Sequence, residues 1–176
     1  MFRNYTKLLY VCAWNSNTIC YNGTINRKNI ITFNKLIYDM NKSSSKEINI
    51  YLTSHGGDLD YSFLTYDLLK QSPKTINMYC HNSVISAASI IYLAGHNRYI
   101  TPNSLIMIHQ LSGSISGTYN HMNDYMQCYK LSMQNMKKIY KHETTMDNRT
   151  INKLLNNDIF LNAEKCVKYG IVHKII

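Results

Sequence analysis

Proline occurs twice and glycine seven times in this 176-residue chain, and alanine is scarce as well. Acidic residues are few, 10 against 19 basic ones, and only 16% of the sequence is charged. With hydrophobic residues at 45%, that low charge excludes an intrinsically disordered chain. No apolar run approaches the roughly 20 residues that would span a membrane. The opening, Met1 to Tyr10, is too polar and too short in its apolar stretch for a secretory signal, and it has no Arg- and Ser-rich transit character. The five cysteines, Cys12, Cys20, Cys80, Cys128 and Cys166, are odd in number and irregular in spacing, with no C-x-x-C pair. That excludes a disulfide framework and a zinc site and points to a reducing compartment.

Lys, Asn, Ile and Tyr are abundant instead. The skew is that of an AT-rich genome writing its codons onto tolerant surface sites. The formal charge of +9 is scattered over Arg27-Lys28, Lys42, Lys46, Lys137-Lys138 and Lys174, so no basic face for nucleic acid emerges. The length suits one domain, residues 1–176, with no linker, repeat or low-complexity segment.

Periodicity predicts a helix over Asn29–Met40 and a strand over Ile48–Thr53, then a turn at Ser54-His55-Gly56-Gly57. Asp58 or Asp60 caps the next helix, which carries Leu59, Phe63, Leu64 and Leu68. A strand at Ile76–Cys80, a turn-like link at His81–Ile85 and a helix over Ser86–Leu93 follow. After the turn Thr101-Pro102-Asn103 comes a buried strand, Leu105–Ile108. Alternating strands and helices with short links predict a mainly parallel α/β sheet. Beyond it lie a long helix over Tyr119–His142, a last helix over Ala163–Tyr169 capped by Asn162, and a terminal strand from Ile171. The long helix has a stripe of Met122, Tyr125, Met126, Tyr129, Met133 and Met136, which is packing against the core or a neighbouring subunit.

Three residues could do chemistry, and each also has an inert reading. Ser86 stands at a strand-to-helix turn beside the small Ala87 and Ala88; it is either a nucleophile or a helix cap. His109 ends a buried strand ahead of the glycine-bearing Ser112–Gly117 stretch; it is either a general base or a structural imidazole. Asp158, between Asn157 and Ile159, is by composition only a helix-flanking carboxylate. No histidine pair has metal-ligand spacing, so neither metal nor cofactor is called for.

Taken together, these segments resemble the ClpP family of Clp protease proteolytic subunits. Ile48–Gly57 is similar to the segment that ends S-P-G-G, and Thr65-Tyr66-Asp67 to the A-I-Y-D that follows. Val84-Ile85-Ser86-Ala87-Ala88-Ser89 resembles the nucleophile segment, and Pro102-Asn103-Ser104 with Ile106–Gln110 resembles P-N-S-x-x-M-I-H-Q. Asp158–Glu164 with Tyr169–Val172 resembles the segment that opens with the triad acid. The likeness runs from about Gly23 to Val172, with the motifs in order.

The resemblance implies a crotonase-like spiral of β-β-α units with a protruding handle, about residues 110–142, made of the long helix and a glycine-bearing strand. It implies a serine endopeptidase with Ser86 as nucleophile, His109 as base and Asp158 as orienting acid, and with Gly57 and Ala87 as oxyanion hole. Gly56, Ser112, Gly113, Ser114 and Ile115 would bind substrate. Its partners would be unfolded polypeptides, an AAA+ Clp unfoldase, and copies or paralogues of itself in seven-membered rings, without nucleic acid or membrane. The expected location is the plastid stroma or a bacterial cytoplasm.

Three departures stand out. Residues 1–17 replace a longer N-terminal region and do not resemble it, which puts unfoldase docking in question. His55 and Leu111 stand where the family has prolines. Asn156-Asn157 stand where relatives often carry an acid and an arginine that pair between stacked rings. The divergent residues 1–17 and the Asn156-Asn157 pair admit the alternative of a weakly active or structural subunit in a mixed Clp ring.

Overall fold

The computed structural model describes residues 11–176. The first strands are β1 (Val11–Asn15) and β2 (Thr18–Asn22), followed by α1 (Arg27–Asn41), β3 (Glu47–Thr53) and α2 (Leu59–Lys70). Next come β4 (Thr75–Cys80), β5 (Ser83–Ile85), α3 (Ala87–Leu93), β6 (Asn97–Ile100) and β7 (Leu105–Ile108). The chain ends with α4 (Tyr119–Glu143), α5 (Asn148–Leu155), β8 (Ile159–Leu161), α6 (Ala163–Lys168) and β9 (Lys174–Ile175).

Two sheets share these strands. The larger has the order β1-β2-β3-β4-β6-β9, and all its neighbours are parallel except the β1–β2 pair. The smaller is β5-β7-β8. Successive units contribute one strand to each sheet and then a helix: β4-β5-α3, then β6-β7-α4. This is the spiral of β-β-α units expected from the resemblance. β3 shows how the larger sheet divides inside from outside. Its Ile48, Ile50 and Leu52 are buried, while Tyr51 between them is half-buried on the other face, as a two-residue period dictates. The buried side chains of α1, Ile30, Phe33, Ile37 and Met40, fall at helical spacing in the same core.

The expected helices are present, and Asp58 is the residue that caps α2, its Oδ1 accepting the amides of Asp60 and Tyr61. The differences lie in short elements. His81–Ile85 is not only a link: it contains β5, held by three register partners on β7. β1, β2, β6, β8 and α5 carry too little periodic sequence to stand out. β1 falls inside the stretch 1–17, and the remaining part of that stretch, residues 1–10, lies outside the described residues. The terminal strand is only Lys174–Ile175, because the Gly170 and Ile171 carbonyls accept from Arg98 instead of joining a ladder. Ser112–Gly117 forms no strand; it runs out from the smaller sheet with no neighbouring strand among the described residues to pair with. α4 matches its expected bounds, but only its C-terminal half reaches the core, through Met136 and Tyr140, while Tyr119, Met122, Tyr125, Met126 and Leu131 are exposed.

That half of α4 is anchored by a buried cation. Arg98, 3% exposed on β6, donates to the carbonyls of Leu93, Gly95, Glu143, Gly170 and Ile171. Its charge is answered by Glu143, whose carboxylate lies 3.6 Å from Arg98 and 2.8 Å from Lys70 and accepts from the Tyr66 hydroxyl. One guanidinium thereby ties the ends of α3, α4 and α6 to the sheet. Removing one partner leaves the others buried and unpaired, so Arg98→Met is expected to cost about 3–5 kcal/mol in denaturant unfolding. Burial pushes the Glu143 carboxyl up, but hydrogen bonds from Lys70, Tyr66 and His142 outweigh it and leave the group below its ordinary value. A carboxyl depressed by folding stabilises above its unfolded value and loses that contribution as pH falls through the folded one. The stability gap between wild type and Glu143→Gln should therefore close on acidification, as read from thermal unfolding at stepped pH.

Candidate active site

The smaller sheet determines where the reactive side chains meet. β5 and β7 run parallel with Ile85 opposite Met107, and the Ser86 amide donates to the Met107 carbonyl at 2.9 Å. β7 and β8 run antiparallel with Ile108 opposite Ile159. Continuing both registers by one residue brings Ser86 after β5, His109 after β7 and Asp158 before β8 to the same end of the sheet. Ser86 Oγ lies 2.5 Å from His109 Nε2, and His109 Nδ1 lies 3.2 Å from Asp158 Oδ1. The three residues that the sequence offered only singly are brought into one line.

The backbone at Ser86 supports a chemical reading over a capping one. Although Ser86 occupies the cap position of α3, its side chain makes no cap hydrogen bond. Its φ of 58° makes it the non-glycine residue with positive φ among the described residues. Holding an L-residue there costs on the order of 1–3 kcal/mol and turns the Oγ out of the strand-to-helix corner. The Ser86 carbonyl is pinned from behind by the Ser89 amide and by the Ser89 hydroxyl, which in turn meets the buried Tyr140 hydroxyl at 2.6 Å.

Both glycines of the upstream turn are explained by what they touch. Gly56 has φ +88°, and a Cβ there would run into the Ile85 carbonyl and Ser86 Cβ at 2.7 Å. Gly57 has φ +140°, and its Cβ would strike the Ile25 carbonyl. Only bare backbone fits between β2's exit and the Ser86 corner. The turn is clipped to that corner by Ser54, which exchanges backbone bonds with Ser83 and Ile85 and accepts the Gly56 amide on its Oγ. The Gly57 and Ala87 amides have no hydrogen-bond partner among the described residues, and both residues line a cleft of about 40 Å³ with Ser86 and His109.

Ser112 lines the same cleft, while Gly113 and Ile115 line an open groove of about 590 Å³ against Met122, Met126 and Tyr129 of α4. Ser114 is exposed and lines neither, and Gly56 sits behind the serine, not in the cleft. Leu59 and Met136 also line the cleft. Nothing in the sequence marked them, because both sit on helical apolar stripes that read as core. The acid differs from its partners in exposure: Asp158 is 73% exposed and His109 22%. An acid so open to water holds an imidazole weakly, since such pairs contribute only about 0–1 kcal/mol.

Comparison with known proteins points one way. A family model described as Clp protease matches residues 4–176. The ATP-dependent Clp protease proteolytic subunit 2 of Treponema denticola is 32% identical over 135 residues, which cover 76% of this chain and 68% of that one. The solved structure of a ClpP1 mutant from Listeria monocytogenes superposes with a TM-score of 0.84 at 25% identity, over 92% of this chain and 91% of that one.

The glycine geometry yields a paired test. Gly57→Ala meets backbone at a positive φ and should destabilise by about 1–3 kcal/mol. Gly113→Ala meets only the far end of the Tyr129 side chain and should cost about 0.5 kcal/mol or less in the same unfolding measurement.

Proposed function

The chain belongs to the Clp protease family, as a relative of its proteolytic subunits, and we propose that it acts as a serine endopeptidase with Ser86, His109 and Asp158 as its triad. The single observation that carries this reading is the 2.5 Å approach of Ser86 Oγ to His109 Nε2 at a positive-φ corner. Ser86 Oγ attacks the substrate carbonyl carbon as His109 Nε2 takes its proton, and Asp158 holds the Nδ1 proton and stabilises the imidazolium. The carbonyl oxygen becomes an oxyanion taken up by the Gly57 and Ala87 amides, which belong to residues lining the cleft and have no competing acceptor among the described residues. Collapse breaks the C–N bond, with the proton passing from Nε2 to the leaving amine. Water, deprotonated by the same nitrogen, then hydrolyses the ester on Ser86. The extended Ser112–Ile115 backbone, unpaired among the described residues, supplies main-chain partners for an extended peptide laid along the groove.

The substrates of this reading are unfolded polypeptides, delivered by an ATP-driven unfoldase into a chamber built from rings of this chain or its paralogues. Support comes from the apolar residues of the outer half of α4, Tyr119, Met122, Tyr125, Met126 and Leu131, which have no cover among the described residues. Support also comes from Asp158, whose exposure leaves the triad weakly held until a neighbouring copy shields it. Exposed Asn156 and Asn157 bring no charge to an inter-ring contact, so assembly rests on apolar burial. Among the described residues no helix is long and apolar enough to cross a membrane.

A fluorophosphonate probe tests the chemistry: it should label the native assembly, and labelling should vanish in Ser86→Ala. A folded, ring-sized native protein that stays unlabelled would sink the peptidase reading. Light scattering at low and high salt tests the assembly. An apolar interface predicts an oligomer whose size does not fall as salt screens charge, and dissociation at high salt would contradict it.

A further inference from the structure

The face of the larger sheet turned away from the buried core carries a row of side chains that peptide hydrolysis does not use. The ladder register sets Cys12 directly opposite Cys20 across the antiparallel β1–β2 pair. The row continues from Cys20 to Tyr51, Tyr79 and Tyr99 on the next strands. The three tyrosine rings stack at centroid distances of 4.7 and 4.9 Å, and Trp14 tilts onto Tyr51 at 4.9 Å. Side chains of directly opposed residues leave the sheet on the same side, with Cα atoms about 4.5–5.5 Å apart. That spacing lies inside the range of roughly 4.4–6.8 Å that a disulfide spans.

The remaining cysteines show why this pair is distinct. Cys80 and Cys166 are buried, and burial pushes their thiols up to about 11 and about 12, which keeps them inert. Cys128 is exposed on α4 and has no cysteine opposite it. Cys12 and Cys20 are both half-buried, packed enough to be held and open enough for a small reagent to reach. Burial first, and then the nearby Cys12, raise the Cys20 thiol.

We propose that Cys12 and Cys20 form a redox-responsive cross-strand dithiol, which a low-molecular-weight disulfide such as oxidised glutathione closes into a disulfide that staples β1 to β2. The thiolate of one cysteine attacks a sulfur of the glutathione disulfide and expels one glutathione thiolate. The second cysteine attacks the resulting mixed disulfide and expels the other. One S–S bond breaks and one forms, the two cysteine protons end on two glutathione thiols, and the protein gives up two electrons. In a reducing compartment the pair stays open, and it closes when the glutathione pool becomes oxidised. Among the described residues β1 is an edge strand whose ladder partner is β2 alone, so the staple acts where a sheet otherwise frays most readily.

The test uses the full chain with Cys128→Ser, so that the exposed third thiol does not compete. The assembled protein is incubated with oxidised glutathione, quenched with N-ethylmaleimide, digested with trypsin and weighed. The peptide Leu8–Arg27 should be two hydrogens lighter, carry no maleimide, and revert with dithiothreitol. Amide exchange along β1 should slow by at least about tenfold in the oxidised sample. In Cys12→Ser the remaining Cys20 should take up one glutathione, as a reachable sulfur deprived of its partner does. Two maleimides on the peptide, or a glutathione left on either sulfur while both cysteines are present, overturns the proposal. So does closure without slower exchange, or a Cys20 in Cys12→Ser that reacts with neither reagent.

Discussion

The register of a three-stranded sheet is the constraint on which this molecule's chemistry depends. β5 against β7 is parallel and β7 against β8 is antiparallel, so two strand ends and one strand start coincide at a single edge. The ladder bonds of Ile85, Ile108 and Ile159 thereby locate Ser86, His109 and Asp158 to within hydrogen-bond reach before any side chain contributes. A slip of one residue in either pairing would turn the corresponding side chain to the opposite face. Each strand is short, and a three-residue strand has little register preference of its own. The preference is imposed by the larger sheet and by Ser54, whose backbone bonds to Ser83 and Ile85 bind one sheet to the other.

Charge is handled in two opposite ways around that edge. The Arg98 and Glu143 side chains are buried, and the hydrogen bonds that Arg98 donates to surrounding carbonyls, with the Glu143 carboxylate beside it, are what make a buried cation tolerable. Their rigidity passes forward: α4 is fixed at its C-terminal half, which carries Met136 into the cleft and Tyr140 against Ser89 behind the serine corner. The His109–Asp158 pair lies at the surface instead, where water competes for both partners. The scaffold is thus held by buried contacts, while the acid beside His109 is left to solvent.

Strain follows the same division. The positive φ of Ser86 is paid for by the surrounding packing, since Ala87, Ala88 and the rest of α3 are buried and the Ser86 carbonyl is pinned. Gly56 and Gly57 let two stretches of backbone approach where side chains would collide, and the same close approach leaves the Gly57 amide uncommitted. Packing, strain and available donors at the cleft are consequences of one narrow crossing between β2, the turn after β3 and the start of α3.

The sequence by itself determined the periodic elements: the helices α1, α2 and α4, the strands β3, β4 and β7, and the cap at Asn162. These are local properties, encoded in spacing and in side chains that reach their own neighbouring amides. It also offered Ser86, His109 and Asp158 as a set through a family resemblance carried by the order of the motifs around them, though each residue alone read as inert. Tertiary structure alone decided that β5 and β8 exist, because strands of three residues are made by their partners and carry no period. The same holds for the burial of Arg98, the choice of Met136 and Leu59 as cleft walls, and the meeting of Cys12 with Cys20 across a hairpin. Those outcomes depend on contacts between residues distant along the chain or opposed across a turn, and the identity of a residue does not say which other residue the fold will set against it.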